Sequence, residues 1–211
     1  REYGGCAGNI IYNLVGIGAD AYSIGTMGSD AGPYLEWMKK NNISTNYIEI
    51  IENSYTAQAY ITTDQNANQI TTFHPGAMQY SNQIKIPDNG SVTLGLISPD
   101  GRDGMIDHAK QFIDMKVPYV FDPGQGMPMF NKDELKFFSE NSSWIIMNDY
   151  EFKMYNDITG TTPADIIKDK KVLVITDGEN GSNIFSFDQK LNISTPKVDS
   201  PKDPTGCGDA Y

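Results

Sequence analysis

Apolar positions recur at helical spacing across residues 7–15, where Ala7, Ile10, Ile11, Leu14 and Val15 share a face and Gly16 and Gly18 can end the turn. Residues 21–26 (AYSIGT) predict a short strand. Pro33 then opens a helix through Tyr34, Leu35, Trp37 and Met38 to the Asn41-Asn42 pair, and 47–51 predicts another strand. Strand–helix alternation of this kind marks a mostly parallel sheet. The pattern then breaks. Residues 56–63 (TAQAYITT) and 69–74 (QITTFH) are β-rich and joined by the polar stretch 64–68, which predicts a β-hairpin. A lone hairpin inside alternating α/β sequence is expected to leave the main sheet as a small lid, the plainer reading being an edge hairpin.

Alternation resumes after Pro87. Residues 92–97 predict a strand, and 103–115 a helix with Met105, Ile106, Ala109, Phe112 and Ile113 on one face. A strand at 119–121 is broken by Asp122-Pro123-Gly124, and a helix at 132–140 precedes a strand at 144–147. Asn148-Asp149 begins a helix through Phe152 and Tyr155. Thr162 is placed to cap the next helix, with Pro163 at its first position. Residues 172–175 predict a buried strand, and 183–187 pairs with 191–194 around Asp188-Gln189. No internal repeat or low-complexity linker interrupts the order.

Composition narrows the class. With 211 residues, 39% hydrophobic and 20% charged, the chain has an ordinary globular make-up and is long enough for a sizeable core. No apolar run approaches the roughly 18–20 residues that a membrane span needs. The net charge of −11, with scattered Lys and Arg, argues against a nucleic-acid partner. It does not argue against an anionic ligand, because backbone N–H groups bind phosphate without lysines. Two cysteines, Cys6 and Cys207, make no disulfide framework, so a reducing cytoplasm is the expected compartment and a Cys6–Cys207 bridge the lesser reading. A glycine turn stands directly behind Arg1-Glu2-Tyr3, and Tyr211 ends the chain two residues past a helix start; both ends are expected to cut through a fold.

The chemistry concentrates in glycine-rich turns. In Asp203-Pro204-Thr205-Gly206-Cys207-Gly208-Asp209, the glycines let successive N–H groups converge on one point and form an anion-binding nest. A carboxylate inside such a nest suits a general base that takes a hydroxyl proton while the nest holds a moving phosphoryl group. A helix N-cap at Asp209 is the equal alternative. Gly4-Gly5-Cys6-Ala7-Gly8-Asn9 opens a helix, either as a ligand-approach turn in which Asn9 meets polyol hydroxyls or as a plain turn and cap. No phosphate-binding G-x-x-x-x-G-K-[ST] loop occurs. His108 lacks a second histidine four residues on, and His74 precedes a proline at a strand end, so both read as structural rather than metal ligands.

Taken together, the Gly4-Gly5, Gly8-Asn9 turn, the Gly25, Gly28, Asp30, Gly32 series and the Asp203–Asp209 turn closely resemble the paired signatures of the ribokinase/PfkB kinases. Asn148-x-x-Glu151 is similar to that family's N-x-x-E motif, and residues 174–181 (VITDGENG) to its nucleotide-binding turn. The resemblance covers essentially the whole chain. It implies a ribokinase-like three-layer α/β/α fold with a mostly parallel central sheet and a small β lid. Residues 1–211 are then one partial kinase domain, with 52–80 contributing the lid hairpin. It also implies roles: Asp209 as catalytic base, and the N–H groups of Gly206, Cys207 and Gly208 as the anion hole. Asn148 and Glu151 would organise the ATP phosphates and Mg²⁺, Glu151 through water. Thr176, Gly178 and Gly181 would lie along the nucleotide, and Gly4, Gly5 and Asn9 would contact sugar hydroxyls. Asp203 and the Thr205 carbonyl would contribute to a monovalent-cation (K⁺) site. The implied reaction is in-line phosphoryl transfer.

The stretch 55–78 and the segments 98–101, 121–126 and 148–151 resemble bacterial PfkB proteins described as adenosine kinases. The implied acceptor is the primary hydroxyl of a nucleoside, adenosine before others, with Phe73 stacking on the purine and Gln58 or Tyr60 reaching its edge. In the alternative, these side chains form only the hydrophobic face of the hairpin. A ribokinase- or fructokinase-type sugar kinase is the second reading, and a non-catalytic nucleoside- or nucleotide-binding protein the third. Either a monomer or a lid-mediated homodimer is compatible. Relatives carry a leading core strand and a segment beyond the last helix start, neither of which is expected within these residues.

Overall fold

The structure is a computed structural model that describes residues 2–65, 69–168, 171–199 and 205–211. The chain divides into two compact units, Arg1–Lys85 and Ile86–Tyr211.

The first unit runs α1 (Cys6–Gly16), β1 (Gly25–Gly28), α2 (Gly32–Lys40), β2 (Ile48–Ile51), β3 (Gln58–Thr63) and β4 (Gln69–His74), and then a 3-10 segment at Gly76–Gln83. β1 and β2 pair in parallel, with Gly25 opposite Ile48. Ile11 of α1, Met38 of α2 and Ile43 form the buried centre, and Val15, Met27, Leu35 and Ile48 pack around it. β1 begins at Gly25 rather than residue 21. A strand extends only as far as its partner's ladder, and residues 45–48 form a turn, closed by Ile48 N–H on Thr45 O, before β2 begins. Residues 21–24 instead bring Tyr22 against Tyr47, with ring centroids 4.7 Å apart.

β3 and β4 form the expected antiparallel hairpin, in register from Gln58 opposite His74 to Thr63 opposite Gln69. Its side chains stand largely in solvent, Tyr60, Ile61, Ile70 and Phe73 among them. Apolar packing therefore holds little of it. Its root is held by polar bonds instead. Gly28 N–H donates to Thr56 Oγ1 at 3.0 Å, and Thr56 N–H donates to Asp30 Oδ1 at 2.8 Å. Thr26 Oγ1 donates to Ala77 O at 2.6 Å, and Ala77 N–H donates to Tyr55 O at 2.8 Å. The two backbones at this root approach so closely that a Cβ on Gly28 would lie 2.2 Å from the Tyr55 carbonyl carbon and 2.4 Å from Thr56 N.

The second unit runs β5 (Gly95–Ile97), α3 (Arg102–Asp114), β6 (Tyr119–Phe121), α4 (Lys132–Asn141), β7 (Trp144–Asn148), α5 (Asp149–Thr159), α6 (Pro163–Ile167), β8 (Val172–Thr176), β9 (Ser182–Phe185) and β10 (Lys190–Ile193). These strands form one sheet in the order β10-β9-β8-β7-β6-β5, parallel from β5 to β8 and antiparallel beyond. This is the α/β class that the alternation predicts. Phe121 of β6 stacks on Phe138 of α4 with centroids 4.5 Å apart, and Phe130 meets Phe138 edge-on. Each fully buried side chain of this size contributes about 1.5–3 kcal/mol. α4, α5 and α6 each begin with a reciprocal capping box: Asn131 with Glu134, Asn148 with Glu151, and Thr162 with Asp165. Two 3-10 segments, Gly76–Gln83 and Gly124–Met129, were not expected from the sequence, because their Gly, Gln, Pro and Met residues show no period.

Gly28→Ala is expected to lower stability by about 1–3 kcal/mol, since backbone rather than a movable side chain must yield to the added methyl. Denaturant midpoints measure the loss, and hydrogen exchange should place it at residues 54–57.

Candidate active site

Because β6, β7 and β8 are parallel, their carboxyl ends share one edge of the sheet, and α/β folds bind ligands at that edge. Asp122 follows β6 directly, its N–H donating to Ile97 O at 2.8 Å. Asn148, the last residue of β7, lies in register with Thr176, the last of β8, and Thr176 with Ser182, the first of β9. Buried Ser182 shares a 2.7 Å hydrogen bond with the Tyr211 hydroxyl, which ties the glycine-rich turn at 205–210 to this part of the sheet.

That turn is one helical turn, with Ala210 N–H on Gly206 O at 3.0 Å and Tyr211 N–H on Gly208 O at 3.2 Å. Gly206 sits at φ 78°, in the left-handed region that glycine favours. The N–H groups of Gly206, Cys207 and Gly208 open the turn, where a helix start leaves its first donors outside the ladder. A Cβ on Gly208 would meet nothing within 4 Å, so packing among the described residues does not require glycine there. Asp209 is half-buried and Cys207 exposed. Asp203, expected at a monovalent-cation site, lies outside the described residues.

Two carboxylates act on a third in this unit. The Asp122 carboxyl is pushed up to about 7, chiefly by burial and then by the negative charges of Glu151 and Asp209, with the Gly124 N–H opposing the shift. The two carboxylates singled out from the sequence thus both act on a third that was not. Asp122-Pro123-Gly124 reads as a turn, and the available signal was a carboxylate at the end of a parallel strand. Asn148 and Glu151 have a structural task as well. Asn148 Oδ1 accepts from Glu151 N–H at 2.7 Å, and Glu151 Oε2 accepts from Asn148 N–H at 2.8 Å. The box occupies one terminal atom of each side chain and leaves the other outside it. Beyond Thr176, the 3-10 turn at Gly178–Asn180 is closed by Asp177 N–H on Gly181 O at 2.7 Å, and Thr195 Oγ1 donates to Gly178 O.

Among the described residues, no group of three or more His, Cys, Asp and Glu side chains converges as a metal cage. Glu151 and Asp122 are oxygen donors, the ligand type that Mg²⁺ takes beside nucleotide phosphates.

In the first unit, Gly5 caps α1 at φ 87° and its carbonyl accepts from Asn9 N–H at 2.9 Å. The Gly4 carbonyl accepts from the Tyr34 hydroxyl at 2.9 Å, and Tyr3 stacks on the Tyr34 ring with centroids 4.8 Å apart. A Cβ on Gly8 would lie 2.1 Å from Tyr34 Oη, so Gly8 is explained by the tyrosine that steadies the turn. Tyr34 was not singled out from the sequence, because an aromatic at helical spacing reads as core. Gln58 and Phe73 do not share a face: Gln58 pairs with His74 and Phe73 with Ala59, and alternate residues of a strand point oppositely. Neither Cys6 nor Cys207 forms a disulfide, and His108 is buried mid-helix as its position predicted. No helix among the described residues is long and apolar enough to cross a membrane.

The raised Asp122 sets a pH dependence. A carboxyl that holds its proton more tightly when folded contributes stability below its ordinary range, near pH 4, and that stability is lost as pH climbs through about 7. Asp122→Asn removes the loss. In buffer free of divalent cations, the melting temperature of the variant relative to the parent should therefore be higher at pH 8 than at pH 5.

Known proteins resemble this chain in sequence and fold. The model of the pfkB family of carbohydrate kinases matches residues 1–211. A nucleoside kinase of Thermoplasma acidophilum is 30% identical over all of this chain and 68% of its own length. Burkholderia thailandensis nucleoside kinase, solved in complex with inosine, superposes with a TM-score of 0.94 at 43% identity, covering 100% of this chain and 70% of that one. Its complex with ADP-inosine gives 0.92 at 42%, covering 100% and 66%. The nucleoside kinase of Methanocaldococcus jannaschii, an archaeal member of the ribokinase family, gives 0.92 at 28% identity over 98% of this chain and 69% of that one. The chain therefore has the ribokinase-like α/β fold, belongs to the pfkB family of carbohydrate kinases, and is a phosphotransferase that acts on a hydroxyl group.

Proposed function

We propose that this chain serves an ATP-dependent kinase that phosphorylates the primary hydroxyl of a nucleoside, adenosine before others, in the cytoplasm. The observation that carries the reading is the action of both Glu151 and Asp209 on buried Asp122, in the unit that holds the Gly206-Cys207-Gly208 turn. The likeness to nucleoside kinases, one of them solved with inosine and with ADP-inosine, supports the nucleoside and the adenine nucleotide. Adenosine rests on the resemblance in residues 55–78.

In this reading Asp209 takes the proton of the attacking hydroxyl as the new oxygen–phosphorus bond forms and the bond to the departing ADP oxygen breaks. The N–H groups of Gly206, Cys207 and Gly208 hold the equatorial oxygens of the transferring group, where fixed donors stabilise charge at no cost in reorganisation. Thr176, Gly178 and Gly181 flank the nucleotide, and Asn148 orients its phosphates. Gly4, Gly5 and Asn9 hold sugar hydroxyls. Glu151, with Asp122 beside it, would hold Mg²⁺ through water; the ion, when bound, neutralises the β- and γ-phosphates. A K⁺ ion near Asp203 and the Thr205 carbonyl belongs to the same proposal.

ATP consumption with adenosine, inosine, ribose and fructose tests the substrate class, and ribose turnover without nucleoside turnover would sink the nucleoside reading. Asp209→Asn should reduce kcat by 10²-fold or more while nucleoside binding persists; unchanged turnover removes Asp209 as base. Glu151→Gln separates cap from charge, because glutamine still accepts from the Asn148 N–H. The melting temperature should move little, while kcat at limiting Mg²⁺ falls about 10–100-fold.

A further inference from the structure

The hairpin carries a hydrogen-bond chain whose polarity is fixed at one end. Asp30 follows β1 and stands two residues before α2. Its Oδ1 accepts from Thr56 N–H at 2.8 Å, and its Oδ2 accepts from Gln58 Nε2 at 3.2 Å. A carboxylate offers no hydrogen, so the amide of Gln58 must turn its nitrogen toward Asp30 and its oxygen away. The Tyr60 hydroxyl lies 2.6 Å from that oxygen. An amide oxygen cannot donate either, so the tyrosine supplies the hydrogen. The outcome, on a residue 60% exposed, is a phenolic oxygen whose one hydrogen is committed and whose lone pairs can only accept.

This chain of bonds starts beside the turn that, on the proposed reading, holds sugar hydroxyls. Asp30 and Tyr34 flank the start of α2, and Tyr34 holds the Gly4 carbonyl of the turn that opens α1. Gln58 and Tyr60 share one face of the hairpin, with Thr72 and His74 across from them, while Phe73 points from the other face.

We propose that Tyr60 is a specificity-determining residue and Asp30 a positioning residue. Together, through Gln58, they fix the Tyr60 oxygen as an acceptor and so select a nucleoside that presents a donor there, a 6-aminopurine over a 6-oxopurine. An exocyclic amine donates to the tyrosine directly. A carbonyl at the same place meets lone pairs, and only breaking the Tyr60–Gln58 bond frees a hydrogen for it. The inference rests on the nucleoside-kinase reading and adds the atoms that discriminate between bases.

The test is the ratio of kcat/KM for adenosine to that for inosine, measured on the parent kinase and on Tyr60→Phe and Asp30→Asn. The parent should favour adenosine about tenfold, the worth of one matched hydrogen bond. Both variants should bring the ratio close to one, with the change for adenosine falling on KM rather than kcat. Asparagine at position 30 offers both a donor and an acceptor, so it no longer dictates which way Gln58 faces; Asp30→Glu, which restores the carboxylate, should recover part of the preference. Exposed Tyr60 gives a variant that folds even where changes at Asp30 do not. A ratio unmoved by Tyr60→Phe, or a parent that favours inosine, overturns this inference and leaves the nucleoside-kinase reading standing. A kinase that consumes ATP with neither nucleoside overturns both.

Discussion

Burial of the Asp122 carboxyl at the end of β6, with the negative charges of Glu151 and Asp209 acting on it, is the constraint around which the candidate site is arranged. A buried carboxyl resists ionising, and like charges within reach of it add to that resistance. Asp122 is fixed by the end of β6, Glu151 by the box that starts α5, and Asp209 by a turn bonded through Tyr211 to buried Ser182. The aromatic and aliphatic packing beneath the sheet, Phe121 on Phe138 foremost, holds the end of β6 that Asp122 follows. An edge charged in this way is ready to receive a proton or a cation, and a kinase requires both at its reaction centre.

Most of the fold was legible because the apolar periods were clean. Met105, Ala109 and Phe112 mark one face of α3, and the α3, β6, α4, β7 and β8 segments fall within a residue or so of their expected places. What was missed depended on distant partners. β1 starts four residues late because its ladder depends on where β2 begins, and nothing within 21–28 encodes that. The site divides in the same way. Glycines at 206 and 208 and the pair Asn148, Glu151 announce themselves by spacing, since backbone nests and helix starts are local. Asp122 and Tyr34 do not: one looks like a turn former and the other like core. That Gln58 and Phe73 point oppositely follows from the hairpin register, in which Gln58 sits across from His74, and the polar loop between the strands leaves that register open on paper.

The root of the hairpin shows how a projecting element is kept in place without burial. Thr26, Gly28, Asp30 and Thr56 hold it by short-range donors and acceptors, and the absence of a side chain at Gly28 lets two backbones nearly touch. Polar bonds of this kind are directional, so they fix orientation more than they add stability. Asp30, which anchors the hairpin through Thr56 with one carboxylate oxygen, sets the orientation of the Gln58 amide with the other, so a structural joint fixes a polarity further along the strand.

The three capping boxes bear on how the second unit assembles. Each is completed within four consecutive residues, 131–134, 148–151 and 162–165, and needs no distant strand to form. Contacts this short in sequence close quickly and cost little loop entropy. Three successive helices thus have their starting points written into the chain before any β ladder exists, which leaves the parallel strand pairings as the slow part of the search.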